Sequence, residues 1–209
     1  MALEQEVKLV VTSDDKLDLS LLPELLKMAD GQIVSDHLVS TYFDTDDLYL
    51  SKQGLGLRMR QINEHYLQTV KTSGSVKDGL HQREEWEYDL AGPEWDLASL
   101  KLTPLATIID NAEIWSTLAP LFTTDFWRET LQLTLADGTK IELAYDRGEV
   151  RSGSLNTNIH EVELELKAGD SRQLGILATT LCQQLPVSPS DISKAQMGYE
   201  LVAKSRQET

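Results

Sequence analysis

Charged and apolar residues alternate with a period of two in stretch after stretch of this chain, and no other feature narrows its fold as much. In "LEQEVKLVV", Glu4, Glu6 and Lys8 fall two apart, against Leu3, Gln5, Val7, Leu9 and Val11. Residues two apart share one face of a β-strand, so this segment is a strand with one charged and one mostly apolar face. The pattern recurs with Arg58 and Arg60 in "LGLRMRQ", Lys71 in "YLQTVKT", and Arg83, Glu85 and Glu87 in "HQREEWEYD". It continues with Arg128 beside Phe126 in "DFWRETL", Glu142 and Asp146 in "IELAYDRG", and Glu161, Glu163 and Glu165 in "HEVELEL".

An antiparallel sheet with one face in water accounts for any one of these strands. It accounts poorly for the set, because like charges crowded on one face repel. Three glutamates in a row need cations nearby, and paired arginines need anions. A barrel with its polar side inward and its apolar side covered by helices satisfies both.

The organisation supports this. "LDLSLLPELLKMADG" carries apolar residues at helical spacing and stops at Gly31, and "DHLVSTYFDT" reads as a strand. "LGLRMRQIN" and "EHYLQTVKTSG" form a hairpin about "NEH", and a second hairpin turns at Asp137-Gly138. "SRQLGILATTLCQQL" is an amphipathic helix, and "DISKAQMGYELV" a short helix or turn. About eight strands with few helices point to one antiparallel sheet closed, or nearly closed, into a barrel.

The lumen of such a barrel suits an elongated, highly charged ligand. Hard divalent cations take carboxylate oxygens and share their remaining sites with phosphates, while Arg and Lys grip phosphate oxygens directly. The formal net charge of −15 argues against nonspecific binding of nucleic acid or an anionic membrane. The lone Cys182 makes no demand for an oxidising compartment. The start "MALEQEVK" has no leader character and no apolar run reaches the roughly 20 residues of a membrane span, so the expected location is cytoplasmic.

Taken in order, "EQEVK", "YFDT", "LRMR", "LQTVKTSG", "HQREEWE", "FTTDFWRE", "LAYDRGEV" and "EVELELKAGD" resemble the CYTH family of triphosphate tunnel metalloenzymes, most closely its bacterial inorganic triphosphatase branch. The resemblance implies an α+β, mainly β fold. It would be an eight-stranded antiparallel closed β-barrel, a tunnel with a polar lumen and flanking helices, occupying residues 1–204 with a tail at 205–209. It implies hydrolysis of triphosphate with Mg²⁺ or Mn²⁺. Carried over by position, Glu4, Glu6, Glu163 and Glu165 would hold metal, and Glu161, on the same face, would support these ligands or hold a second metal. Asp146, in an expected Asp-x-Gly turn, would be either ligand or structural. Lys8, Arg58, Arg60, Lys71, Arg83, Arg128 and Lys194 would grip phosphate, and Glu4, Glu6, Lys8 and Lys71 would carry catalysis.

The resemblance leaves open adenylyl cyclase or thiamine triphosphatase activity on the same fold, and a noncatalytic polyphosphate-binding module. It is compatible with a homodimer and with a C-terminal CHAD domain in a longer chain. The four histidines, His37, His65, His81 and His160, lack zinc-ligand spacing. Gly54 and Gly56 lie outside any phosphate-loop motif. Trp86, Trp95, Trp115 and Trp127 read as exterior or helix-packing residues.

Overall fold

A computed structural model describes residues 2–207. Ten strands run β1 (Ala2–Val11), β2 (Val34–Asp44), β3 (Leu55–Ile62), β4 (His65–Thr72), β5 (Ser75–Lys77), β6 (Leu80–Leu90), β7 (Ala119–Thr134), β8 (Lys140–Ser152), β9 (Leu155–Ala168) and β10 (Val187–Pro189). The helices are α1 (Pro23–Met28), α2 (Tyr49–Lys52), α3 (Leu97–Leu100), α4 (Ala106–Ile109), α5 (Ala112–Trp115), α6 (Arg172–Gln184) and α7 (Lys194–Gln207). Strands pair antiparallel in the order β1-β9-β8-β7-β2-β3-β4-β6, and β6 returns to β1 to close an eight-stranded barrel. The short β5 and β10 extend β6 and β1 outside the closed ring.

Closure rests on β1, paired along both edges. Ala2–Val7 meets β6, Glu6–Val10 meets β9, and Leu9–Val11 meets β10. The alternation assigns its faces as the sequence reading expects. Glu4, Glu6 and Lys8 point inward, whereas Val7, Leu9 and Val11 join an outer core with Leu164, Leu143, Leu133 and the inner side of α6. A second outer core, around Leu57, Val70 and Trp86, lies under α3 and α4. Farther along β2 and β7, beyond the core under α6, Trp127 is 58% exposed and stacked on His37 at 5.1 Å.

Several local expectations change. The helix expected before Gly31 is a 3-10 turn at Leu19–Leu21 followed by α1, because Pro23 starts a new helix at its first turn. Asp146 lies within β8 and not in a turn; the β8–β9 hairpin turns at Gly153 instead. Gly148, two residues after Asp146, is needed for packing, since a Cβ there would overlap the backbone of Asp125 and Phe126. The "short helix or turn" is the 14-residue α7, which runs through residues 205–207 of the expected tail. Residues 208–209 lie outside the described residues. Among the described residues no helix is long and apolar enough to cross a membrane.

Helix α7 packs against the lumen face of the barrel. Its Leu201 and Val202 join Leu38, Tyr42, Phe122, Phe126, Val150 and Ile159 in a third apolar cluster. The lumen is therefore polar through its middle and apolar where α7 covers it. The "YFDT" stretch explains part of this docking. Asp44 accepts the backbone N–H groups of Thr45, Leu50 and Ser51, capping α2, and also the Tyr199 hydroxyl at 3.2 Å. One buried carboxylate thus ties β2, α2 and α7 together.

Candidate active site

A cavity of about 610 Å³ runs through the polar part of the lumen. Its wall includes Glu4, Glu6, Lys8, Arg58, Arg60, Lys71, Arg83, Arg128, Glu163, Glu165 and Lys194, the larger part of the residues expected from sequence. Asp146 and Glu161 share the lumen side of β8 and β9, but both are buried and sit behind Lys194 without lining the cavity.

The charges interlock. Glu4 accepts from Lys71 at 2.7 Å and from Arg83 Nε at 2.6 Å, while Arg83 Nη2 reaches Glu6 at 2.6 Å. Glu163 accepts from Lys8, from Arg128 at 2.5 Å and from Lys194 at 3.0 Å. Asp146 takes both arms of Arg128, at 2.7 and 2.6 Å, and lies 2.5 Å from Lys194, which also bonds Glu161. Burial works against the charge on Glu4, yet Lys71 and Arg83 outweigh it and hold its carboxyl well below the usual range. Lys194, Lys8 and Arg128 do the same for Glu163. Glu161 goes the other way, its pKa raised by burial.

Arg60 stands apart from this balance, while its neighbour Arg58 pairs through Nη2 with Glu87 and Glu85. Arg60 is buried and donates from Nε to the Ser40 hydroxyl at 2.8 Å, but among the described residues no carboxylate lies within ion-pair distance. Burial, together with Arg58 and Arg128, pulls its pKa down to about 10. Arg58 meets Glu87 at 3.3 Å, yet its buried Nε has no partner. A buried donor without an acceptor costs about 1–3 kcal/mol, more for a charged group, so this wall of the cavity carries donor capacity that its own residues leave unused.

Tyr42, on the lumen face of β2, joins this corner. Burial raises its phenol pKa, but Arg58 and Arg60 overcome that and leave it lowered. Sequence reasoning missed Tyr42 and Ser40 because "LVSTYFD" places polar and apolar residues on both faces, so alternation could not say which side points inward. It also missed Lys167, which pairs with Glu165 at 2.8 Å beside Glu142 in the cavity wall.

The carboxylates of β1 and β9 are all oxygen donors, with Glu6 directly opposite Glu165 in the strand register. That donor set suits a hard divalent cation. One oxygen each from Asp146, Glu161 and Glu163 also lie within 4.8 Å of one another, but Lys194 already bonds or pairs with all three.

His81 is buried in the lumen near Lys8 and contacts the Ser190 carbonyl at 3.2 Å; burial and then Lys8 lower its pKa. The folded protein therefore resists protonating it. Its contribution to stability is present above the ordinary value of 6.5 and is lost as pH falls through the lowered folded value. Melting temperatures measured between pH 7.5 and 5 should decline more steeply for the parent protein than for His81→Gln, and equal slopes would refute this.

The CYTH domain family matches residues 2–199. The inorganic triphosphatase of Haemophilus influenzae is 35% identical over 202 residues, covering 96% of this chain and 56% of that protein. The chain thus spans little more than half the length of this curated relative. Among solved structures, a Hippeastrum protein named as an adenylyl cyclase and described as having a dominant triphosphatase activity superposes with a TM-score of 0.64 at 20% identity, covering 94% of this chain and 95% of that one. A Bacillus halodurans protein named as an adenylate cyclase gives 0.52 at 17% identity, covering 92% and 96%. At these identities the structural likeness is one of fold.

Proposed function

The chain belongs to the CYTH family, and from that premise we propose that it hydrolyses inorganic triphosphate to pyrophosphate and phosphate within its tunnel, using Mg²⁺ or Mn²⁺. The observation that carries the reading is the unpaired buried guanidinium of Arg60 beside the orphaned Arg58 Nε, in a cavity otherwise balanced in charge. The curated relative's name, inorganic triphosphatase, supports the same substrate.

In this reading Arg58 and Arg60 fork onto phosphate oxygens, and Lys8, Lys71, Arg83, Arg128 and Lys194 complete the clamp, Arg128 and Lys194 turning from Glu163 while Asp146 still holds both from behind. Each cation that moves to phosphate frees a carboxylate oxygen. Glu4, Glu6, Glu163 and Glu165 are the residues that would hold the cation, which would neutralise charge on the phosphates and favour the leaving group. Asp146 and Glu161 act from behind by keeping Arg128 and Lys194 charged and in place. Phosphoryl transfer asks chiefly for in-line positioning and charge neutralisation, which such a clamp supplies without a covalent nucleophile. Tyr42, beside Arg58 and Arg60, orients the end of the chain they hold. The reading takes the reaction to be cytoplasmic, with which a sequence holding a single cysteine, Cys182, is compatible.

The deciding experiment incubates the protein and Mg²⁺ or Mn²⁺ with tripolyphosphate, ATP or thiamine triphosphate and assays phosphate, pyrophosphate and cyclic AMP. Phosphate and pyrophosphate from tripolyphosphate should dominate. Cyclic AMP as the main product would replace the reading with a cyclase, and binding without turnover would leave a polyphosphate-binding module.

A further inference from the structure

Gly198 sits inside α7, where glycine costs about 1 kcal/mol relative to alanine. Its backbone conformation does not require glycine, because its φ lies outside the positive region. What requires it is contact: a Cβ at this position would overlap the ring of Phe122 on β7. That ring is stacked in turn on Tyr42, with centroids 4.5 Å apart and planes at 16°, and its other neighbour is Tyr199 at 5.1 Å. Tyr42 lines the cavity together with Arg58 and Arg60. Lys194, four residues before Gly198, lies on the same helix face and reaches Asp146, Glu161 and Glu163.

We propose that Gly198 is a positioning residue of the phosphate site. The depth at which α7 settles against Phe122 sets both the reach of Lys194 into the acidic cluster and the plane of Tyr42 in the cavity wall it shares with the two arginines. An added methyl group has two outlets. Either α7 backs away and draws Lys194 from Glu163, or Phe122 is driven into Tyr42. Both disturb groups that the triphosphatase reading places around the substrate, and the activity arm of the test rests on that reading.

The test is a cycle of Gly198→Ala, Phe122→Val and the double variant, with tripolyphosphate turnover, melting temperature and crystal structures for each. Gly198→Ala should raise KM about tenfold or more, within the roughly hundredfold loss that a misplacement near 1 Å can carry. Phe122→Val alone should also raise KM, by removing the wedge between α7 and Tyr42. The double variant should lie below both singles, because the methyl fills space the ring leaves. Such reciprocal rescue is not expected of a merely structural role, which would lower melting temperature and leave KM unchanged. Additive losses, or wild-type KM in both singles, would overturn the proposal. If Gly198→Ala does not fold, Phe122→Val and the double variant still decide it. If the parent protein does not turn over tripolyphosphate, the functional reading falls alone. The crystal structures then decide the positioning, through lengthening of the 3.0 Å Lys194–Glu163 contact or its persistence.

Discussion

Arg60→Met should make the protein more stable and a much poorer enzyme. The guanidinium is buried beside Arg58 and Arg128 with, among the described residues, only Ser40 as a side-chain hydrogen-bond partner, and the fall of its pKa from 12.5 to about 10 corresponds to about 3 kcal/mol against the charged form. At neutral pH that penalty is fully present, because Arg60 is charged in both folded and unfolded states. Methionine keeps most of the apolar stem and removes the charge. A gain of 1–2 kcal/mol would raise the melting temperature at about 2–4 °C per kcal/mol for a chain of this size. Hydrogen bonds to charged groups contribute about 1.5–3 kcal/mol each, so losing a forked contact to phosphate should cut kcat/KM for tripolyphosphate about a hundredfold. Calorimetry and steady-state kinetics on one preparation check both halves. A destabilised variant with normal kinetics would show that Arg60 is structural and that the anion sits elsewhere.

Glu163→Gln should fail on both counts. Its carboxylate is shared by Lys8, Arg128 and Lys194, and removing one partner of a buried charged network costs about 3–5 kcal/mol, or roughly 10 °C or more in melting temperature. Its folded pKa lies well below 4.5, so its stabilisation is fully present above pH 4.5 and disappears only as pH falls through that lowered value. The gap in stability between parent and variant should therefore persist down to pH 4.5 and close only in stronger acid. Turnover with Mg²⁺ or Mn²⁺ should fall at least about a hundredfold, since the variant loses both a proposed cation ligand and the anchor of three phosphate-gripping residues. Glu6→Gln offers a comparison with a smaller expected loss of stability, because Glu6 directly bonds Arg83 and has Lys8 at 3.3 Å. Near-normal rates in both variants would refute the assignment of these carboxylates.

The strands were legible in sequence because their charges alternate. Glu4, Glu6 and Lys8 against Val7 and Leu9 fix the faces of β1, and the "HEVELEL" run fixes those of β9, so the inward surface could be read before any pairing was known. Which inward residues are free to meet a ligand could not be read that way. Asp146 and Arg60 look alike as inward charges, yet one has both oxygens engaged and the other has, among the described residues, no acid within ion-pair distance. That difference arises from the register of four strands at once. Helix α7 was underread because "KAQMGYELVAKS" has a weak apolar stripe. Its inner face meets a lumen that is partly charged, so Lys194 and Gly198 occupy positions where an ordinary amphipathic helix would carry leucine.

The two-sided pairing of β1 also governs when the barrel can form. Its partner β9 lies about 150 residues downstream, and the Lys8–Glu163 contact spans a separation of 155. During synthesis β1 emerges well before β9 and must wait for the roughly 150 residues between them before its second edge is covered. Long-range pairings of this kind slow folding and leave strand edges open to wrong partners. The inward charges of β1 then have a second use, since Glu4, Glu6 and Lys8 discourage that waiting edge from joining another chain.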